Sequence, residues 1–337
     1  MISRRALLAA GALMPVAARA QGYYERGGSK QRAVRFAGAE GVALEGTLVL
    51  PLRSEIQYVP GVVMIAGSGP TDRDGNNAYV PERIDLLRQL ALTLADAGIA
   101  SLRYDNRGIG ASTRPPPSLA DQERFFTWEH FVADVQAAHG ELLRHDEIKS
   151  YATGMIGHSE GGLLAIAASA AMAAKRPHAL TLMATPGRPL REIVRSQVAR
   201  NAPAFSAETD RVMAAIEASG RTPTRLSPEL QPLFPAYAGP FLKAALAFDP
   251  AAELARLDNA CLLLQGAADK QVVAMEDVQP LFDALARRTV SGEALVVPGA
   301  SHNFKAVSSP FDHGFGGPVV AVVAAKLTGW LATVLGA

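Results

Sequence analysis

The stretch Gly154-Met155-Ile156-Gly157-His158-Ser159-Glu160-Gly161-Gly162 constrains the fold more than any other part of the chain. The apolar run from Tyr151 to Ile156 reads as a short buried strand. Leu163 to Ala174, rich in Ala and Leu, reads as a helix. G-x-S-x-G centred on Ser159 at such a junction is the pattern of a nucleophile elbow. In that turn a strained strand-to-helix connection exposes the serine, and flanking glycines let backbones pass closely. The turn also puts Ser159 at a helix N-terminus, where unpaired N–H groups and the helix dipole favour an oxyanion. With 30 glycines in the chain the five-residue pattern alone carries little; the strand and helix around it carry the reading.

The rest of the chain supplies more strands and helices in alternation. Ala33 to Phe36 and Val42 to Leu50 read as strands joined by a turn at Gly38 and Gly41. Gly61 to Ala66 is an apolar, β-branched run of the kind buried on both faces, followed by the loop Gly67 to Asn77. Pro81 to Ala97 reads as a helix stopped by Gly98, Ile99 to Tyr104 as a strand, and Thr127 to Leu143 as a helix capped by Thr127. Ala179 to Met183, Cys261 to Gln265 and Ala294 to Val297 read as strands, and Glu276 to Ala286 and Pro318 to Leu335 as helices. Between Thr185 and Pro250 the character changes: eight prolines, helical patterns at Glu192 to Arg200 and Glu208 to Ser219, and no strand-like run. The expected architecture is α/β, a mostly parallel sheet with helices on both faces and an inserted helical cap. The expected division is an export signal at 1–20, a core in two parts at 21–184 and 251–337, and the cap at 185–250.

Met1 to Ala20 has Arg4 and Arg5 at its start, an apolar stretch from Ala6 to Ala18 and a small-residue site at Ala18-Arg19-Ala20. Gly11 and Pro15 interrupt it, so it makes a poor membrane-spanning helix. Ser3-Arg4-Arg5-Ala6-Leu7-Leu8 is similar to a twin-arginine signal, and the expected location is periplasmic or secreted, with no stable membrane anchor. The chain has 33 basic and 32 acidic residues; without Arg4, Arg5 and Arg19, 30 basic residues face 32 acids. Such a balance gives no electrostatic case for nucleic acid or an acidic membrane. Cys261 is the only cysteine, so no intramolecular disulfide can form, and its apolar neighbours mark it as a core thiol. No Cys or His cluster has metal-ligand spacing. Neither a metal nor a cofactor is expected.

In sheets of this kind the site lies beyond the carboxyl ends of the strands, which selects the partners of Ser159. A serine nucleophile needs a base, and the base needs an acid to orient it and stabilise its charged form. His302 follows Leu295-Val296-Val297 by one short turn, whereas His313 lies ten residues further on. His158 neighbours the serine but is expected to point away from it, in a structural role. Asp269 follows the strand Cys261 to Gln265 at its carboxyl end, Asp258 precedes that strand, and Asp277 falls inside the next helix. The order Ser159, Asp269, His302 is that of one hydrolase architecture. The oxyanion donors expected are the N–H groups of Glu160 and Ser68. Asp72, Arg73 and Asp74 are expected to hold their loop by ion pairs, and Asp105, Arg107 and Gly108 to build a turn.

Gly157-His158-Ser159-Glu160-Gly161-Gly162, Gly67-Ser68-Gly69-Pro70-Thr71-Asp72-Arg73-Asp74-Gly75 and Tyr104-Asp105-Asn106-Arg107-Gly108-Ile109-Gly110 together resemble α/β-hydrolase-fold serine hydrolases. The likeness is to bacterial esterases akin to dienelactone hydrolases and to prolyl-oligopeptidase-type catalytic domains. Many of those relatives carry His-Gly where this chain has Ala66-Gly67. The resemblance covers the chain outside the first twenty residues and the cap. It implies a serine carboxylic-ester hydrolase acting through an acyl-enzyme on a small-molecule or short-acyl ester. An exopeptidase or amidase of the same fold, or a non-catalytic binding protein on this scaffold, are the alternative readings.

Overall fold

A computed structural model of the chain describes residues 24–26, 29–52, 58–172, 176–290, 292–309 and 311–337. The expected export segment, 1–20, lies outside the described residues. Among the described residues nine strands form one sheet: β1 (Tyr24–Arg26), β2 (Ser29–Ala37), β3 (Ala43–Pro51), β4 (Val59–Ile65), β5 (Ala100–Tyr104), β6 (Ile148–His158), β7 (Ala179–Met183), β8 (Ala260–Gly266) and β9 (Gly292–Val297). Their order is β1-β2-β3-β5-β4-β6-β7-β8-β9. The six strands from β5 to β9 in that order run parallel, and β1 to β3 extend the edge antiparallel.

Successive residues on a strand point to opposite faces, so a strand apolar at every position must be covered on both sides. Val63, Ile65, Met155, Leu180 and Leu263 meet α3 (Trp128–Leu142), α4 (Glu160–Met172), α8 (Pro250–Arg256) and α9 (Gln279–Ala286) on one face. Val62, Met64, Ile156, Met183 and Leu264 meet α1 (Leu86–Asp96) and α10 (Ala321–Leu335) on the other. The expected mostly parallel, two-sided α/β layering is the observed one.

Local boundaries differ from expectation where side chains intervene. The helix expected from Pro81 begins only at Leu86, because Asn76 Oδ1 accepts the N–H groups of Ile84 and Asp85 and holds them in a turn. The loop after Pro117 contains α2 (Leu119–Phe125), capped by Ser118, whose hydroxyl accepts the Asp121 N–H. Ahead of α9 the chain winds one wider turn, Ala274–Val278.

Residues between β7 and β8 form α5 (Leu190–Asn201), α6 (Ser206–Ser219) and α7 (Gly239–Ala247). These bury an apolar cluster of their own, including Val194, Val198, Met213, Ile216, Phe234 and Leu246. Phe241 and Phe248 pack on Trp128 at 5.5 and 5.1 Å between ring centroids, and Tyr237 on Phe126 at 4.8 Å. Arg188 is paired with Asp277 at 2.5 Å, tying the start of this segment to the turn ahead of α9.

Candidate active site

The residue between β6 and α4 is Ser159, with φ +54°, a left-handed conformation that costs a non-glycine residue energy. Three neighbouring glycines make that turn possible. A Cβ on Gly157 would strike the Gly161 carbonyl, one on Gly161 the backbone of Ile65 and Ala66, and one on Gly162 the Thr185 side chain. The helix therefore starts directly after the serine, three residues earlier than the apolar pattern suggests, and Glu160 is its first residue.

Asp269 follows β8 and His302 follows β9, so acid and histidine leave adjacent strands at their carboxyl ends. His302 Nδ1 lies 2.7 Å from Asp269 Oδ2. An ionised carboxylate only accepts, so Nδ1 carries the proton and Nε2 is left with its lone pair. Asp269 Oδ1 accepts the N–H groups of Gln271 and Val272 at 2.8 and 3.0 Å, and Gln265 Nε2 donates to Oδ2 at 3.1 Å. Burial by itself would raise this carboxyl, but His302 and the two backbone donors outweigh it and hold it below the ordinary value. It is the ionised form that such a setting favours.

Ser159 and His302 line one small cavity of 180 Å³ together with Ser68, Thr71, Asn77, Gln271 and Asn303. The loop carrying Ser68 follows β4, the sheet neighbour of β6, and a Cβ placed on Gly67 would sit 3.3 Å from the Ser159 Cβ. Among the described residues no acceptor engages the backbone N–H of Ser68 or of Glu160. Two larger cavities adjoin. One, of 310 Å³, is lined by Ser159, Glu160 and apolar side chains from α5 and α7. The next, of 410 Å³, shares Glu160 and Leu233 with it and is walled by aromatic rings.

His158 sits otherwise than the sequence suggests. It does not point away from the site: His158 lines the cavity with Ser159, and its ring lies 4.7 Å from the His302 ring. Its Nε2 is 2.9 Å from the His302 carbonyl, which only accepts, so Nε2 carries the proton. Burial, with His302 alongside, pushes its pKa down to about 3, and it stays neutral. His158 thus holds the backbone of the residue whose side chain meets Asp269. Gln265 was also missed; its signal was an amide at the end of the otherwise apolar strand Cys261 to Leu264. Glu160 is a third, singled out by sequence only for its N–H.

Other candidates fall elsewhere. Asp277 accepts from Arg188 and from the Val273 N–H, Asp258 pairs with Arg176 at 2.6 Å, and His313 stacks on Phe315. Arg73 pairs with Asp105 at 2.6 Å and Arg103 with Asp74 at 2.5 Å, which ties the Ser68 loop to the end of β5. Arg107 is fully buried against Asp134 at 2.7 Å. Among the described residues no group of three or more His, Cys, Asp or Glu side chains could hold a metal ion, and no helix is long and apolar enough to cross a membrane.

The sequence model of the alpha/beta hydrolase family matches residues 62–314. No curated protein sequence matches the chain. Among solved structures, Est1E from Butyrivibrio proteoclasticus with bound ferulic acid is 17% identical and has a TM-score of 0.57. That alignment covers 90% of this chain and 99% of that one. An acetyl xylan esterase from Paenibacillus sp. R4 is 17% identical with a TM-score of 0.59, over 94% of this chain and 88% of that one. A puromycin-hydrolyzing peptidase from Mycobacterium tuberculosis is 20% identical with a TM-score of 0.59, over 91% of this chain and 40% of that one. At these identities the likeness is one of fold.

Proposed function

The chain belongs to the alpha/beta hydrolase family, and we propose that it is a serine carboxylic-ester hydrolase. The observation that carries the reading is the 2.7 Å contact of His302 Nδ1 with Asp269, made on the same cavity that Ser159 lines from a left-handed turn. In this mechanism His302 Nε2 takes the proton of Ser159 Oγ as the oxygen attacks the acyl carbon. Asp269 stabilises the imidazolium that forms. The N–H groups of Ser68 and Glu160 hold the oxyanion. Collapse of the tetrahedral intermediate breaks the bond to the alcohol, which leaves with the proton from His302. Water, activated by the same base, then cleaves the acyl-enzyme. Residues 185–250 act as a cap over the acyl side, and their contribution to the 310 Å³ cavity supports a short acyl group.

Arg4, Arg5 and the Ala18-Arg19-Ala20 site support export and a mature chain starting near Gln21. The catalytic reading is tested by assaying that mature chain on a panel of small esters, amides and lactones. Ester cleavage that disappears in Ser159→Ala is the expected result; cleavage of amides alone moves the reading to an amidase, and cleavage of none of them contradicts it.

A further inference from the structure

Glu160 does more in this structure than present a backbone N–H. Glu160 lines both larger cavities, which also share Gly69, Pro232, Leu233 and Leu242 and so adjoin. Among the described residues no hydrogen bond or ion pair engages its carboxyl. Half-buried beside these cavities with no compensating partner, it has its pKa raised by desolvation to about 7. The cavity it faces is walled by Phe126, Phe131, Tyr237 and Phe241, rings that pack on one another at 4.8 to 6.3 Å. Arg107 also reaches this cavity, but its charge is met by Asp134, and its other donors go to the carbonyls of Phe125 and Ala39. The unbalanced group is the carboxyl.

His302 lines the small cavity and neither of the two larger ones. A leaving alcohol must be protonated by His302, so it departs on that side. The acyl group then occupies the side where Glu160 lies.

We propose that Glu160 and the aromatic wall select substrates whose acyl group ends in a cationic alkylammonium. Ring faces attract a desolvated cation through their quadrupole. The cation in turn supplies the counter-charge that the carboxyl lacks. This inference rests on the ester-hydrolase reading.

The test compares two methyl esters, each with three methylenes between the carbonyl and the terminus. One ends in a trimethylammonium group and the other in a tert-butyl group, its uncharged isostere. The wild type is expected to favour the cationic ester by roughly tenfold or more in kcat/KM. In Glu160→Gln that ratio falls toward unity, and taking the ratio removes any loss common to both esters. In Glu160→Asp part of the preference returns. Should the Gln variant not fold, the wild type suffices: tetramethylammonium is expected to inhibit cleavage of the tert-butyl ester competitively, and tert-butanol is not. Equal rates on both esters, or a preference for tert-butyl, overturn this inference. If neither these nor any other neutral ester is cleaved, it is the ester-hydrolase reading that fails.

Discussion

Replacing Asp269 by Asn removes a charge with almost no change of shape, and the hydrogen bonds around it dictate how the amide must sit. The N–H groups of Gln271 and Val272, at 2.8 and 3.0 Å from Oδ1, fix the amide oxygen there. The amide nitrogen then takes the place of Oδ2, facing His302 Nδ1 at 2.7 Å and Gln265 Nε2 at 3.1 Å. An NH2 group can only donate, so His302 must accept at Nδ1 and carry its proton on Nε2, the nitrogen needed to receive the Ser159 proton. Loss of the correct tautomer lowers turnover by about three to four powers of ten, ~4–5.5 kcal/mol in barrier. Gln265 also meets a donor where it had an acceptor. Its Oε1 has no partner at present, but turning the amide to use it gives up bonds to the Gly266 and Val272 carbonyls. That mismatch costs about 1–3 kcal/mol, so the variant folds but melts a few degrees lower. The assay is p-nitrophenyl butyrate turnover beside a circular-dichroism melt. Asp277→Asn is the control: its carboxyl engages Arg188 and the Val273 N–H, so it should lose stability and keep turnover. A nearly active Asp269→Asn, or a dead but stable Asp277→Asn, would show that Asp269 does not orient His302.

Three further outcomes follow from the same structure. Burial pushes His139 and His158 down to about 4 and about 3, so between pH 6.5 and those values the unfolded chain binds protons the fold refuses. Stability therefore drops on acidification, by up to about 1.4 kcal/mol per pH unit for each histidine, and a melting temperature unchanged from pH 7 to pH 5 contradicts it. Asp134→Asn leaves Arg107 as an unpaired buried charge, at a cost of about 3–5 kcal/mol in chemical denaturation; a loss within error argues against the pair. Activity on p-nitrophenyl esters should rise by up to ~0.8 kcal/mol per methylene while the 310 Å³ cavity fills and then fall steeply, whereas undiminished cleavage of long-chain esters moves the reading toward a lipase.

What was legible in the sequence is what local pattern determines. Gly61 to Ala66 is apolar at every position and Ala179 to Met183 at all but Thr181, which a two-sided sheet satisfies, and these runs fall in β4 and β7. Asp269 and His302 could be singled out because a topological rule selects one end of each strand, and each lies within a short turn of that end. What escaped depends on contacts between distant segments. Nothing near His158 reveals that its ring meets a carbonyl at position 302, nor does the loop at Asn76 announce that it will delay α1. The carboxyl of Glu160 gains its meaning only when rings from the residue after α2, from α3 and from the segment before α8 close around one cavity. The Ser118-x-x-Asp121 cap of α2 was local and readable, and the prolines before it hid it.

The central claim is that Ser159 is the nucleophile. A fluorophosphonate probe followed by peptide mass spectrometry measures this directly, because such reagents phosphonylate a serine only where a base and an oxyanion site activate it. One adduct is expected, on the peptide carrying Ser159, absent in Ser159→Ala and slowed severely in His302→Ala. No adduct on the folded wild type, or labelling and ester turnover that persist in Ser159→Ala, contradicts it.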